Sequence, residues 1–538
     1  MSISRRIDQT DAPNAGSSYD YTRNLKRLNG KCSWAFRHHV PGFRGPWTPP
    51  ASDDFDLYVI DRDDWVQLSS MERVELWGTG CDLFIKHLLV SSDHVDVVER
   101  LSRMHRLDAT MEVQVPGLRQ PPEKEEDSAD YSQIIRVTTL RTFLKHACDS
   151  EGIVLNALQL PESHSKHPNP LADSGLDLQD VAYRQTNGLA GFDHEPVPSD
   201  QECFQIAGTA DTVTLSHIDA YGGTRVTAEG PGDKWWPRRR WASSLEYTDR
   251  FLDWDPDRPD FRQGEWEGII LAPQEGTLLM QPGREHIVVG FPPADVENPK
   301  VKRMRGTLTT GGHFVVASTI RASISAFFHL VVQENVLTNV NHYPYWKTLI
   351  RISAFWLDVT QTRPKDLRVL QPYLPRLSLN TTEGWIDIVY LACVAVLAPA
   401  FDQRRGLGLN IPSNEQSQRK AVRKMFDSWR SWFADIFDGI LGDEEAVNWE
   451  NRLFTPALVH MAVALTSYFH CTGEKEEAMR QKFNKDIERH LAKAYSKDAG
   501  ASFRNAIQNY AEGNRRCSFF LFKGSEFRIR KRTRSSTS

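Results

Sequence analysis

The 538-residue sequence predicts a mainly β core followed by an α-helical C-terminal domain. Three observations carry this expectation. Between about 135 and 320, short apolar runs alternate with clusters of Gly, Pro and Asp. Beyond about 320 the apolar spacing turns helical. The chain is also longer than one simple core accommodates, so two or three domains are expected.

Residues 1–50 read as a polar N-terminal tail and irregular segment, with Pro and Gly around "VPGFRGPWTPP". The opening "MSISRRIDQTDAPNAG" has basic residues but no apolar stretch behind them, unlike a secretory signal. Residues 51–134 read as a mixed α/β region. Within it "SSDHVDVVERLSRM" predicts a helix, with Asp93 as cap and Val95, Val98, Leu101 and Met104 on one face. The proline-led, charged "PPEKEEDSAD" (121–130) reads as an exposed linker or loop.

Residues 135–335 hold the predicted strands: "GIVLNALQL", "CFQIAG", "TVTLSHID", "WEGIILA", "GTLLMQ", "HIVVGF" and "GHFVVAST". Repeated short strands with turn signals suggest an antiparallel sandwich or barrel. The stretch 162–200 reads as an excursion over the surface. "WWPRRRW" (235–241) reads as a packed loop with exposed arginines, the alternative being the border of a substrate channel.

Residues 336–525 read as the helical domain. "IVYLACVAVLAPA" (388–400) is too short to span a bilayer as a helix and closes on Pro399, so a buried core helix is expected. "QRKAVRKMFDSWRSWFADIFDGIL" places Val422, Met425, Phe426, Trp429, Trp432, Phe433, Ile436 and Phe437 on one stripe. "TPALVHMAVALTSYFHCTG" offers Thr455 as N-cap, Pro456 at the first helical position and Gly473 past the end. Residues 526–538 form a basic tail carrying Arg528, Arg530, Lys531, Arg532 and Arg534.

With 65 basic and 70 acidic residues the net charge is −5, which excludes a globally basic nucleic-acid coat but not a local patch. The seven cysteines include no C-x-x-C pair, which argues for reducing surroundings and against disulfide frameworks or zinc fingers. A soluble intracellular protein, without a membrane partner, is the expectation.

The chemistry begins with His217-x-Asp219. Chance placement of 17 histidines and 70 acidic residues gives about two H-x-[DE] motifs, and the chain has two. The other, His94-x-Asp96, falls in a predicted helix, where the two side chains diverge. His217 and Asp219 sit in a strand-like run, where positions two apart share a face. His286, after a Pro-Gly turn, supplies a third ligand. Two imidazoles and a carboxylate with open positions opposite suit ferrous iron in oxygenase chemistry.

Five motifs follow in order: Thr214-x-x-His217-x-Asp219, Gly222-Gly223-Thr224, Gly232-Asp233-Lys234-Trp235-Trp236, Pro282-Gly283-Arg284-Glu285-His286 and Gly311-Gly312-His313-Phe314. Together they resemble the JmjC-domain 2-oxoglutarate oxygenases, and "IVLNALQLP" is similar to the opening strand in the subgroup related to plant-homeodomain-containing histone demethylases. The likeness covers roughly 135–320. It implies a double-stranded β-helix, or cupin-like jelly roll, as catalytic core. It also implies Fe(II) on His217, Asp219 and His286, with 2-oxoglutarate held by Lys234, Thr214 and Asn156, and O2 as co-reactant. His313 is implied to stand behind the ligands, although it competes with His286 for the third position. The interval "AYGGTRVTAEGPG" departs from the family by looking turn-like, and Tyr221 in it could shape the entrance.

The resemblance implies hydroxylation of a C–H bond, and on an N-methyl group the product collapses to formaldehyde and demethylated lysine. Demethylation of methyl-lysine on a histone tail in the nucleus is therefore the leading expectation, with the basic tail as import signal or weak DNA contact. A cytoplasmic location, a protein hydroxylase acting on a non-histone side chain and a non-catalytic chromatin-associated scaffold stay open.

Overall fold

The structure, a computed structural model, describes residues 57–88, 97–115, 135–149, 152–161, 171, 174–189, 191–198, 203–210, 212–219, 222–239, 266–293, 304–333, 345–362, 367–375, 383–404, 427–429, 431, 453–467 and 474–511. The tail at 1–50, the linker at 121–130, Asp93, His94, Val95, Tyr221, Gly473 and the basic C-terminus lie outside them, as does most of the predicted stripe at 422–437.

The N-terminal region contributes β1 (Leu57–Asp61), α1 (Arg62–Gln67), α2 (Ser70–Trp77), β2 (Asp82–Lys86), α3 (Val97–Met104) and β3 (Thr110–Gln114). A capping box opens α2: the Ser69 hydroxyl accepts from the Glu72 N–H, and the Glu72 carboxylate accepts from the Ser69 N–H at 2.8 Å. At its other end Trp77 packs 5.1 Å from Phe314 and donates to the Thr319 hydroxyl at 3.1 Å. In α3 Leu101 is fully buried, on the face the spacing predicted.

Next come β4 (Ile135–Thr139), α4 (Leu140–Ala147), β5 (Asn156–Pro161), α5 (Leu178–Thr186), β6 (Phe204–Gly208), β7 (Val213–His217), β8 (Gly223–Pro231) and β9 (Lys234–Arg239). They are followed by β10 (Trp266–Leu271), β11 (Gly276–Met280), β12 (His286–Gly290) and β13 (Thr307–Phe314). A nine-stranded sheet runs β1-β2-β11-β8-β13-β6-β5-β3-β4, and a four-stranded sheet runs β10-β9-β12-β7. All pairs are antiparallel except β1 with β2. Strands on both sides of residue 134 thus share one sheet. Trp236, Ile269 and Val288 of the smaller sheet form one apolar cluster with Val226, Ala228, Leu278 and Met280 of the larger, which defines the inner faces.

Two expectations need correction here. The turn-like stretch after Asp219 is largely β8, a nine-residue inner strand of the large sheet, between β11 and β13. Within 162–200, α5 is not a surface excursion: Leu178, Val181 and Ala182 are buried in the helical cluster.

The helical region comprises α6 (Ile320–Gln333), α7 (Tyr345–Thr362), α8 (Leu367–Leu370), α9 (Glu383–Arg404), α10 (Thr455–Ser467), α11 (Glu474–Ala494) and α12 (Lys497–Ala511). The predicted core helix at 388–400 is α9, whose residues from Ile388 to Leu397 are buried throughout, as an all-round apolar helix must be. It continues five residues past Pro399, which therefore does not close it. Thr455 is the first residue of α10 rather than its cap, and its hydroxyl lies 3.0 Å from that of Tyr495. Trp429, from the predicted stripe, is buried and donates to Ser353 at 3.1 Å. Among the described residues no helix is long and apolar enough to cross a membrane.

Candidate metal centre

Strand register brings the two histidines together. His286, first residue of β12, pairs directly with His217, last residue of β7, and their ring centroids lie 4.2 Å apart. Asp219 follows two residues beyond β7, with its Oδ2 4.0 Å from His286 Nε2. One ligand atom from each of His217, Asp219 and His286 lies within 4.8 Å of the others, and this is the one such group among the described residues. The 4.0 Å between Asp219 Oδ2 and His286 Nε2 is no more than twice a ligand bond of about 2.0–2.2 Å, so one ion can touch both.

The tautomer of His286 is set by its neighbour. Nδ1 is 2.8 Å from the Arg284 carbonyl, which only accepts, so the proton sits on Nδ1 and Nε2 offers its lone pair to the Asp219 side. Pro282 and Gly283 form the turn that delivers Arg284, closed by the Arg284 N–H on the Gln281 carbonyl at 3.3 Å. Gly283 has φ +69°, the left-handed value this second central position requires.

Asp219 is held as an anion. Burial works to raise its pKa, but His286, His313, His217 and a hydrogen bond from Thr224 outweigh it and bring it to about 2. Thr224 connects a further residue: its hydroxyl lies 3.1 Å from His313 Nδ1, its register partner across β8 and β13. Donating to Asp219 commits the hydroxyl proton, so its oxygen accepts from Nδ1–H of His313. His313 therefore stands behind the acid instead of joining the ligand group. Burial, with Arg225 and His286 against the pull of Asp219, lowers its pKa to about 4, so the ring is neutral at neutral pH.

Of the remaining site residues, Thr214 and Lys234 lie along the same inner face of the smaller sheet, and Asn156 reaches Thr214 from the larger one. On a regular strand Thr214 and His217, three apart, would face opposite ways. Here His286 pairs with His217 while Val288 pairs with Thr214, so three steps on β7 match two on β12. This β-bulge turns Thr214 onto the histidine face. The buried Asn156 of β5 donates its amide to Thr214 Oγ1 at 2.9 Å, which leaves the Thr214 proton to point elsewhere. On β9, Arg238 pairs with His286 and Lys234 with Gly290, so Lys234, Trp236 and Arg238 share the histidine face. The Trp236 ring links the two ends, 5.7 Å from Lys234 Nζ and 6.3 Å from the His286 ring. Lys234 is buried, and desolvation pulls its pKa down to about 7.

All six expected site residues thus lie between the sheets or at their edge. The reading of 235–241 as a loop with exposed arginines is corrected: 234–239 is strand β9, and Arg238 and Arg239 are buried. Arg238 pairs with Asp82 and Arg239 with Glu285, the latter at 3.0 Å. Thr224 carried a visible motif without an assigned role. Asp82 gave no signal, because its partners lie some 150 to 200 residues away.

No protein-family model matches this sequence, and no curated protein matches it.

Proposed function

We propose that the chain is an Fe(II)- and 2-oxoglutarate-dependent oxygenase on a double-stranded β-helix, oxidising the N-methyl carbon of methyl-lysine on a histone tail. The observation that carries this reading is the shared inner face of the smaller sheet, with His217, Asp219 and His286 at one end and Lys234 and Thr214 toward the other. The strand order supports the jelly roll. The run β11-β8-β13-β6 in one sheet mirrors β10-β9-β12-β7 in the other, so consecutive strands occupy matching positions, as when one long hairpin is rolled into a barrel.

Two imidazoles and one carboxylate suit iron, which when bound supplies a Lewis-acidic centre with positions open to a chelating keto acid and O2. The chain's own groups do the rest. The Arg284 carbonyl keeps His286 in the ligating tautomer, and the Thr224 hydroxyl aims Asp219. Lys234 provides a desolvated cation for the distal carboxylate of 2-oxoglutarate, whose charge would restore its proton. Thr214 donates to the same carboxylate, its oxygen already engaged by Asn156.

The test is mass spectrometry of methyl-lysine histone peptides incubated with the protein, Fe(II), 2-oxoglutarate and ascorbate. A loss of about 14 mass units with succinate formation supports demethylation, whereas a gain of about 16 identifies a hydroxylase. Absence of succinate under all conditions overturns the oxygenase reading.

A further inference from the structure

A buried charge network stands behind the metal centre and uses a residue from outside the motif-bearing strands. Asp82 opens β2 and is fully buried. Its carboxylate pairs with Arg238 of β9 and lies 3.2 Å from Arg284 Nε, and both arginine side chains are at most 2% exposed. The same carboxylate accepts the Gln281 N–H at 2.8 Å. Gln281 in turn donates its side-chain amide to the carbonyls of Trp77 and Cys81, at 3.0 and 2.8 Å. Arg284 donates to the Arg239 carbonyl at 2.9 Å. All of these contacts except the Asp82–Arg238 pair involve Gln281 or Arg284, and the turn they hold presents the Arg284 carbonyl to His286 Nδ1.

A network of this kind stabilises a fold little compared with apolar packing of the same volume. What it supplies is direction. The Arg284 side chain and the Gln281 backbone are fixed by one acid, so the carbonyl between them and His286 has one orientation. We propose that Asp82 is a positioning residue for His286: through Arg284 and Gln281 it fixes the tautomer and direction of the third ligand. The segment around β2 is then part of the metal centre. This rests on the reading of His217, Asp219 and His286 as metal ligands.

The experiment uses the full chain with Co(II) as probe, followed by calorimetry and visible absorption. Asp82→Asn keeps an acceptor for the Gln281 N–H but removes the charge facing both arginines. It should bind Co(II) about 10–100-fold more weakly than wild type, with an altered visible spectrum. Asp387→Asn removes the acid of another Arg–Asp pair, with Arg321, remote in the helical region, and should bind as wild type does. In a His286→Ala background Asp82→Asn should have no further effect. Wild-type affinity in Asp82→Asn, or the same weakening in the His286→Ala background, overturns the proposal.

Should Asp82→Asn fail to fold, Arg284→Lys and Arg284→Met carry the test. Lysine keeps a cation for Asp82 and should bind Co(II) more tightly than methionine, whereas equal affinity overturns the proposal. A wild-type chain that binds no Co(II) refutes the metal reading itself, and the proposal with it.

Discussion

Replacing Lys234 by methionine separates what this residue does for the fold from what it does for a ligand. Methionine has a similar length and no charge, and the side chain at this position is buried. Burial lowers the lysine pKa from 10.5 to about 7, so desolvation costs the charged form roughly 5 kcal/mol at about 1.4 kcal/mol per pKa unit. Removing that cost should stabilise the ligand-free protein by about 2–4 kcal/mol, after allowance for relaxation. The sign with pH follows from proton counts. Between about pH 7 and 10.5 the unfolded chain holds a proton on Lys234 that the folded chain has released, so wild-type stability rises with pH across that window. The methionine variant lacks this slope.

Binding goes the opposite way. A distal carboxylate entering the pocket without its cation loses about 3–5 kcal/mol, or roughly 150- to 4,000-fold in affinity. Thermal melts from pH 7 to 10 and anaerobic titration with 2-oxoglutarate read the two effects on the same samples. A variant that melts lower than wild type, or binds 2-oxoglutarate as wild type does, refutes this assignment of Lys234.

Other perturbations follow from the same geometry. His217→Ala should abolish succinate formation, whereas His94→Ala should leave it intact; equal loss in both would remove the basis for the ligand assignment. Thr224→Val removes the hydroxyl between Asp219 and His313, and calorimetry should find divalent-metal affinity reduced about 10–100-fold. Unchanged affinity would mean that Asp219 is oriented without it. Gly311→Ala puts a Cβ 2.2 Å from the Phe204 ring, which itself lies 5.1 Å from the His313 ring. Denaturation should register an overpacking loss of about 1–3 kcal/mol, and no loss would show that Phe204 moves freely.

The His217, Asp219 and His286 group was legible because metal chemistry restricts residue type; strand alternation does not join His217 to Asp219, since β7 ends at His217 and Asp219 lies two residues past it. Six strands were legible from apolar runs, and β11 and β12 show why, being buried at every position. The run at 312–319 overlaps only the last three residues of β13, Gly312–Phe314, and then enters a helical turn. β8 was not, because its outward side chains are polar yet covered: the buried Thr227 meets Thr277 at 2.8 Å, and the half-buried Glu229 pairs with Arg100. Polar residues satisfied by distant partners look like turn residues when only neighbours in sequence are considered. The same reason hid Arg238 and Arg239, whose basic cluster suggested exposure until Asp82 and Glu285 were brought beside them. The bulge that aligns Thr214 with His217 also left no local mark, because it is defined by pairing with β12.

On the proposed function, the triad and Lys234 are two ends of one cosubstrate site. Anaerobic calorimetric titration of 2-oxoglutarate, with and without Fe(II), tests this most directly. Affinity should rise at least tenfold, about 1.4 kcal/mol, when Fe(II) is present, and that gain should vanish in His217→Ala. Equal affinity with and without Fe(II), in a wild-type chain shown to bind the metal, would contradict it.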